Sequence, residues 1–178
     1  MCVEWRLRQA GIEDAERLAL IGGATFLETF AGLLEGDAIV AHCAAEHGAE
    51  TYRALLGHPD SAAWVAEART GGAPLGYALV ASPKLVQAEP GDIELKRIYS
   101  FSRTHGTGLG AALMGRSTAH AEAMGAKRLL LGVFVGNVRA LAFYRRHGFE
   151  KIGERRFRVG SQDCEDVVLA KPLVGEGR

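Results

Sequence analysis

The chain has 178 residues, 48% of them apolar and 24% charged, with 21 Lys and Arg against 21 Asp and Glu. That length suits a single globular domain, expected over residues 1–172 with a flexible tail at 173–178, and a balance of zero net charge excludes a protein that coats nucleic acid. No apolar run reaches the roughly 18 residues of a membrane span, and three cysteines, Cys2, Cys43 and Cys164, make neither a disulfide framework nor a paired zinc motif.

The start, Met1 to Arg6, carries no signal-peptide core, so the expected setting is a reducing cytoplasm. Val3, Trp5 and Leu7 alternate with Glu4, Arg6 and Arg8, the mark of a half-buried strand. Ile12, Ala15, Leu18, Ala19 and Ile21 recur at helical spacing, and Gly22-Gly23 is expected to stop that helix. Residues 24–57 read as helical and broken: a short piece over 25–31, then a longer helix after Asp37, a good N-cap type. Trp64-Val65-Ala66 leads into Gly71-Gly72, a hairpin signal, and 75–81 returns as the partner strand. A strand over 92–101 runs into a Gly-rich turn that opens a helix at 111–124, which Gly125 ends. Residues 128–135 form a buried strand, Asn137 caps a helix reaching about Arg146, and strands near 149–159 and 163–169 finish the chain. Hairpins among the early strands and helical crossovers in the middle predict an α/β mixed sheet with helices on both faces.

The sharpest feature is the turn His105-Gly106-Thr107-Gly108-Leu109-Gly110-Ala111. Glycines allow positive φ and close approach of a ligand, and the helix behind offers unpaired N–H groups. Together they suit a phosphate or pyrophosphate, although a tight turn with close helix packing uses the same residues. Residues 106–111 also fit a dinucleotide fingerprint. That reading wants an acid roughly 20 residues on, at the end of the next strand, where this chain has Val135-Gly136-Asn137. A Walker loop fails because no Gly-Lys-Ser/Thr follows. The second feature is Asn137…Ala140…Phe143-Tyr144-Arg145-Arg146-His147-Gly148-Phe149, where Phe143 and Tyr144 taken alone suit core packing.

Taken together, the two segments resemble the Gcn5-related N-acetyltransferase family. The first looks like its acetyl-CoA signature, Gln/Arg-x-x-Gly-x-Gly/Ala, and the second like its next motif. Two frames fit: Arg103-x-x-Gly106-x-Gly108 and His105-x-x-Gly108-x-Gly110. The second sets Ala111-Ala112-Leu113-Met114 in the family's helix register. The resemblance covers Val3 to about Leu169 and implies a sheet of six to seven strands.

It also implies roles. Ile98 and Ser100, flanking Tyr99, would pair their backbone with the pantetheine arm, and residues 105–111 would hold the pyrophosphate. Asn137 would bond near the thioester, and Arg145 or Arg146 would reach the 3′-phosphate unless they form a solvated face. Tyr144 is the general-acid candidate, since a phenol is a donor near neutral pH. A backbone N–H at residue 100 would serve the oxyanion. Glu94 is the candidate base. Alternation puts it on one face with Lys96, Ile98 and Ser100, and the competing reading is a Glu94–Lys96 surface pair.

Glu94-Leu95-Lys96-Arg97-Ile98-Tyr99 and Thr25-Phe26-Leu27-Glu28-Thr29-Phe30 further resemble polyamine acetyltransferases of the PaiA type. In that reading Glu28 holds a cationic amine; otherwise it is a solvated helix carboxylate. Trp64 and Tyr99 are either core or acceptor-side residues. Of His42, Cys43 and His47, the first two point apart and only Cys43 and His47, four apart, share a helix face, two ligands where a tetrahedral metal site wants three or four. Arg155-Arg156-Phe157-Arg158 reads as a strand with one exposed face rather than a nucleic-acid patch. The expected activity is acetyl transfer from acetyl-CoA to a small primary amine or polyamine in a ternary complex, with a protein or peptide N-terminus as runner-up. The rival is a non-catalytic acyl-CoA sensor. The resemblance also implies a homodimer.

Overall fold

The computed structural model describes residues 3–173, so Cys2 and residues 174–178 of the expected tail lie outside the described residues. Leu173 does not behave as tail: it is buried, and its amide donates to Lys127 O at 2.8 Å.

The strands are β1 (Trp5–Ala10), β2 (Ala62–Ala68), β3 (Pro74–Ala81), β4 (Asp92–Ser100), β5 (Arg128–Phe134), β6 (Glu150–Val159) and β7 (Gln162–Pro172). The helices are α1 (Ala15–Phe30), α2 (Gly36–Glu46), α3 (Ala49–Leu56), α4 (Leu109–Ala123) and α5 (Val138–Arg146). All seven strands join one sheet in the order β1-β2-β3-β4-β5-β7-β6. Only β4 and β5 pair in parallel, because α4 carries the crossover between them. The mixed sheet and the order of elements are as the sequence predicts.

Each face of the sheet has its own core. Leu109, Leu113 and Met114 of α4, with Tyr144 of α5, pack on Ile93, Leu95, Leu129 and Leu131. On the other face Leu18 and Ile21 of α1 and Tyr52 of α3 cover Val65, Tyr77 and Leu79, and Phe26, Phe30 and Ile39 cover Val159 and Cys164. No described helix is long and apolar enough to cross a membrane.

Two expectations fail in the helical region. Gly22-Gly23 does not end α1, which runs on through Phe30. A Cβ on Gly22 would stand 2.2 Å from Tyr52 Oη and 2.5 Å from His47 Nδ1. The glycine costs α1 about 1 kcal/mol of helix propensity but lets α1 close onto those two buried side chains. Asp37 lies inside α2, whose N-cap is Glu35, and the stretch after it is two helices divided at Gly48. The helix behind the Gly-rich turn starts two residues earlier than expected, at Leu109, with Gly108 as its N-cap.

Candidate active site

The Gly-rich turn is held from below. Thr104 Oγ1 donates to Phe101 O at 2.7 Å, Thr107 Oγ1 to Thr104 O at 2.6 Å, and Trp5 Nε1 to Thr107 Oγ1 at 3.2 Å. Gly106 and Gly108 have φ of +80° and +84°, where a side chain would be strained, and a Cβ on either would meet nothing within 4 Å. Among the described residues the amides of Gly106, Gly108, Gly110 and Ala111 have no acceptor. Open space over unpaired N–H groups at a helix start is what a pyrophosphate needs. Leu109 instead turns its side chain into the core, and Thr107 faces Trp5.

β4 supplies the next part. It pairs with β5 only from Asp92↔Arg128 to Glu94↔Leu130, and beyond that the strands part. The Phe101 amide donates to Leu75 O on β3. Alternation therefore turns the polar backbone groups of Tyr99 toward β3 and those of Ile98 and Ser100 toward the gap. That gap is part of a cleft of ≈ 1140 Å³, lined on the α4/α5 side by Ile98, Ser100, His105, Gly108, Asn137 and Tyr144.

Asn137 caps α5 by accepting from the Ala140 amide at 3.1 Å, which commits its Oδ1 and leaves its NH₂ group for another partner. Tyr144 is 8% exposed. Burial, with a smaller contribution from Tyr99, pushes its phenol up, so the hydroxyl stays protonated. Arg146 lines the cleft. Of the two frames, His105 also lines it and touches Arg139, whereas Arg103 stacks outward on Phe101.

The bulge in β4 corrects the expected face of Glu94. Leu79 pairs with Arg97 and Val80 with Leu95, so Lys96 is an extra residue. The bulge inverts alternation. Ile93 and Leu95 share a core with Ile98, while Glu94 falls on the face of Arg97 and Tyr99. Glu94 is 6% exposed, and its Oε2 accepts from Lys96 Nζ at 2.9 Å and from the Lys84 amide at 2.8 Å. The Glu94–Lys96 pair is therefore real but buried rather than on the surface.

The other side of the cleft is the α1/α2 face. Glu28 lines it while accepting from the Ser102 amide and hydroxyl, both at 2.9 Å, so it is a committed carboxylate. Tyr99 lines this side and burial pushes it up to about 12, but Trp64 is in the opposite core. The His–Cys–His trio has other partners: His42 stacks on Phe26 at 4.4 Å, and His47 Nδ1 lies 2.9 Å from Tyr52 Oη. Burial, with Arg97 nearby, holds His47 down to about 3, so it is neutral.

Several wall residues carry no motif. Arg139, Phe134, Arg155, Asp166 and Cys164 all face the cleft. Arg155 and Phe157 are the inward members of the alternating β6 segment, with Arg156 and Arg158 outside. Two glycines in β5 and just after it were the available signal. A Cβ on Gly132 would stand 2.4 Å from Arg155 Nη2, and one on Gly136 2.5 Å from the Phe134 ring. Glycine in a strand marks such close approach.

The Acetyltransferase (GNAT) family model matches residues 25–149. This chain belongs to that family. A Mycobacterium tuberculosis protein described as an uncharacterized N-acetyltransferase is 34% identical over 161 residues, covering 90% of this chain and 99% of its own. The PaiA N-acetyltransferase of Thermoplasma acidophilum, solved with coenzyme A, superposes with a TM-score of 0.77 at 18% identity, over 95% of this chain and 99% of that one. The ribosomal-protein-S18-alanine N-acetyltransferase of Escherichia coli gives 0.66 at 17%, over 98% and 97%. At such identities these two share the fold and do not choose an acceptor.

The GNAT activity is acetyl transfer from acetyl-CoA to an amine. Cys164 is the one described cysteine on the cleft wall. Burial, and then Asp166 and Asp163, push its thiol up, which disfavours the thiolate a covalent acetyl carrier needs.

Proposed function

We propose that this GNAT enzyme acetylates a small primary amine by direct attack in a ternary complex, with Tyr144 as donor to the leaving sulfur and Glu94 as acceptor of the amine's proton. The parting of β4 from β5 beyond Glu94 supports this reading most. It opens a passage from the glycine turn and Tyr144 on one face to Glu94, Tyr99 and Asp166 on the other. An alkylamine titrates near ~10.4 and must lose a proton before it attacks, while a thiol near ~8.5 leaves more readily with a hydrogen-bond donor beside it. Glu94 Oε1 has no partner among the described residues and is the free oxygen for the amine.

In this reading the backbone at Ile98 and Ser100 takes the pantetheine arm, the amides of 106–111 the pyrophosphate, and Arg146 the 3′-phosphate. Asn137 bonds near the thioester and the residue-100 amide serves the oxyanion. A polyamine held at Glu28 is the finer form of the acceptor, and a peptide N-terminus the runner-up. The proposed setting is the cytoplasm and the proposed assembly a homodimer, which sedimentation tests. For the activity, the test is thiol release from acetyl-CoA against spermidine, amino acids, aminoglycosides and short peptides, with Tyr144→Phe alongside. Turnover with one amine class, lowered in the variant, supports the whole scheme. Undiminished turnover removes the donor role. No turnover, in protein that acetyl-CoA still stabilises against heat, points to a sensor.

A further inference from the structure

The cleft contains an amine of its own. The chain has five lysines, Lys84, Lys96, Lys127, Lys151 and Lys171, and of these Lys84 and Lys96 line the cleft. Lys84 is exposed and reaches Glu94 through its backbone amide. The Lys96 side chain is 13% exposed, and its Nζ lies 2.9 Å from Glu94 Oε2. The β4 bulge puts it there. Leu95 faces the α4 core, Arg97 pairs with Leu79 on the opposite face, and the extra residue between them carries its stem to the side of Glu94. Lysine is rarely buried unless its charge is answered, and Glu94 answers it with one oxygen. A counter-ion to a buried carboxylate would need no more than this.

The position of Lys96 along the gap gives it a second role. β4 and β5 rejoin at Glu94↔Leu130. A pantetheine arm that enters from the glycine turn and follows Ser100 and Ile98 therefore ends toward the closed end of the gap. Lys96 stands two residues, roughly 7 Å of strand, before Ile98. Its flexible four-carbon stem spans that distance. The carboxylate beside its nitrogen is the one proposed to take an acceptor's proton, so Lys96 has the base and the position that an acceptor needs without having to diffuse to them.

We infer that Lys96 is a self-acetylation site, taking the acetyl group of bound acetyl-CoA when no free amine occupies the cleft. The inference rests on the direct-transfer reading above and adds an acceptor within the chain. The ammonium passes one proton to Glu94 and on to solvent. The neutral nitrogen then forms a C–N bond to the acetyl carbon, and the C–S bond breaks with its electron pair on sulfur. The nitrogen's second proton balances the one that sulfur takes from Tyr144, leaving an amide and a free thiol. The amide carries no charge, so the ion pair with Glu94 is lost.

The experiment incubates the full chain with acetyl-CoA and no amine, and follows each lysine by peptide mass spectrometry. Lys96 is expected to gain one acetyl group at least about ten-fold faster than Lys127, Lys151 and Lys171, because holding two reactants together outweighs free encounter. The rate per chain should not change with protein concentration, and excess coenzyme A should suppress labelling at Lys96 but not at the three lysines outside the cleft. Lys96 labelled no faster than those three overturns the inference, as does labelling that coenzyme A leaves untouched or that rises with protein concentration. Turnover of a free amine without label on Lys96 overturns the inference alone and leaves Lys96 as the counter-ion of Glu94. Neither label nor turnover with any amine overturns the inference together with the transfer reading.

Discussion

The two halves of the cleft are built in different ways. The half proposed for the cofactor comes from two short continuous segments, the end of β4 with its turn and the start of α5, and it offers largely backbone groups. The acceptor half comes from side chains on α1, α2, β4, β5, β6 and β7, brought together only by the sheet order. A backbone cradle needs glycine at fixed spacing and so leaves a motif. A side-chain pocket can be assembled from any elements that the fold makes neighbours.

The largest effect is expected where the halves meet. Tyr144→Phe should lower kcat by about 100-fold, within the usual range for a lost proton donor, with the KM for acetyl-CoA little changed. Steady-state kinetics with one good amine measures it, and an unchanged kcat would leave Tyr144 a packing residue. The cofactor half alone is probed by Gly108→Val. A branched side chain at φ +84° is strained and fills the space above the turn. The KM for acetyl-CoA should rise by about 30-fold, since a lost hydrogen bond to a charged group costs roughly 1.5–3 kcal/mol.

On the acceptor half, Glu94→Gln should lower kcat/KM for the amine by about ten-fold at neutral pH. The deficit should shrink as pH approaches the amine's own pKa, because a free base in solution needs no acceptor. A deficit constant with pH would mean that Glu94 only holds Lys96 and the Lys84 amide.

A smaller effect, on stability, belongs to the opposite edge of the sheet. Glu67 is buried against Arg6, Arg8 and Arg17, and Asp14 against Arg8 and Arg17. Hydrogen bonds from Arg8 hold both carboxyls below their ordinary values despite burial. A lowered folded-state pKa gives stability that is present above the unfolded value, near ~4, and lost as pH falls through the folded one. Melting temperature should therefore hold from pH 7 to about 5 and fall below about 4. Arg8→Met should cost about 1–2 kcal/mol, discounted because Arg8 is partly solvated, or roughly 3–6 °C, with kcat unchanged. The smallest effect is expected for Cys164→Ser. Direct transfer predicts less than about a two-fold change in kcat, and loss of activity would revive an acetyl-thiol intermediate.

Much of the fold was legible because the periodicities are local. Asn137 caps α5, Gly71-Gly72 turns the hairpin, and Gly125 stops α4, each by short-range chemistry. Gly22-Gly23 misled for the opposite reason. Its glycine serves an approach of α1 to His47 and Tyr52, 25 and 30 residues along the chain, and no local pattern reports that. Glu94 was assigned to the wrong face, since one inserted residue at Lys96 reverses every side chain before or after it.

The sequence by itself determined the element order, the mixed sheet, the glycine cradle and the cap at Asn137, because helix periodicity, strand alternation and positive-φ turns are fixed within a few residues. Only the tertiary structure decided which carboxylates are committed, which aromatic rings wall the acceptor side, and that Arg155 lies across Gly132 beside Asp166. Those depend on strand register and on contacts between β5, β6 and β7, where burial and pairing, not neighbouring residues in the chain, set each group's chemistry.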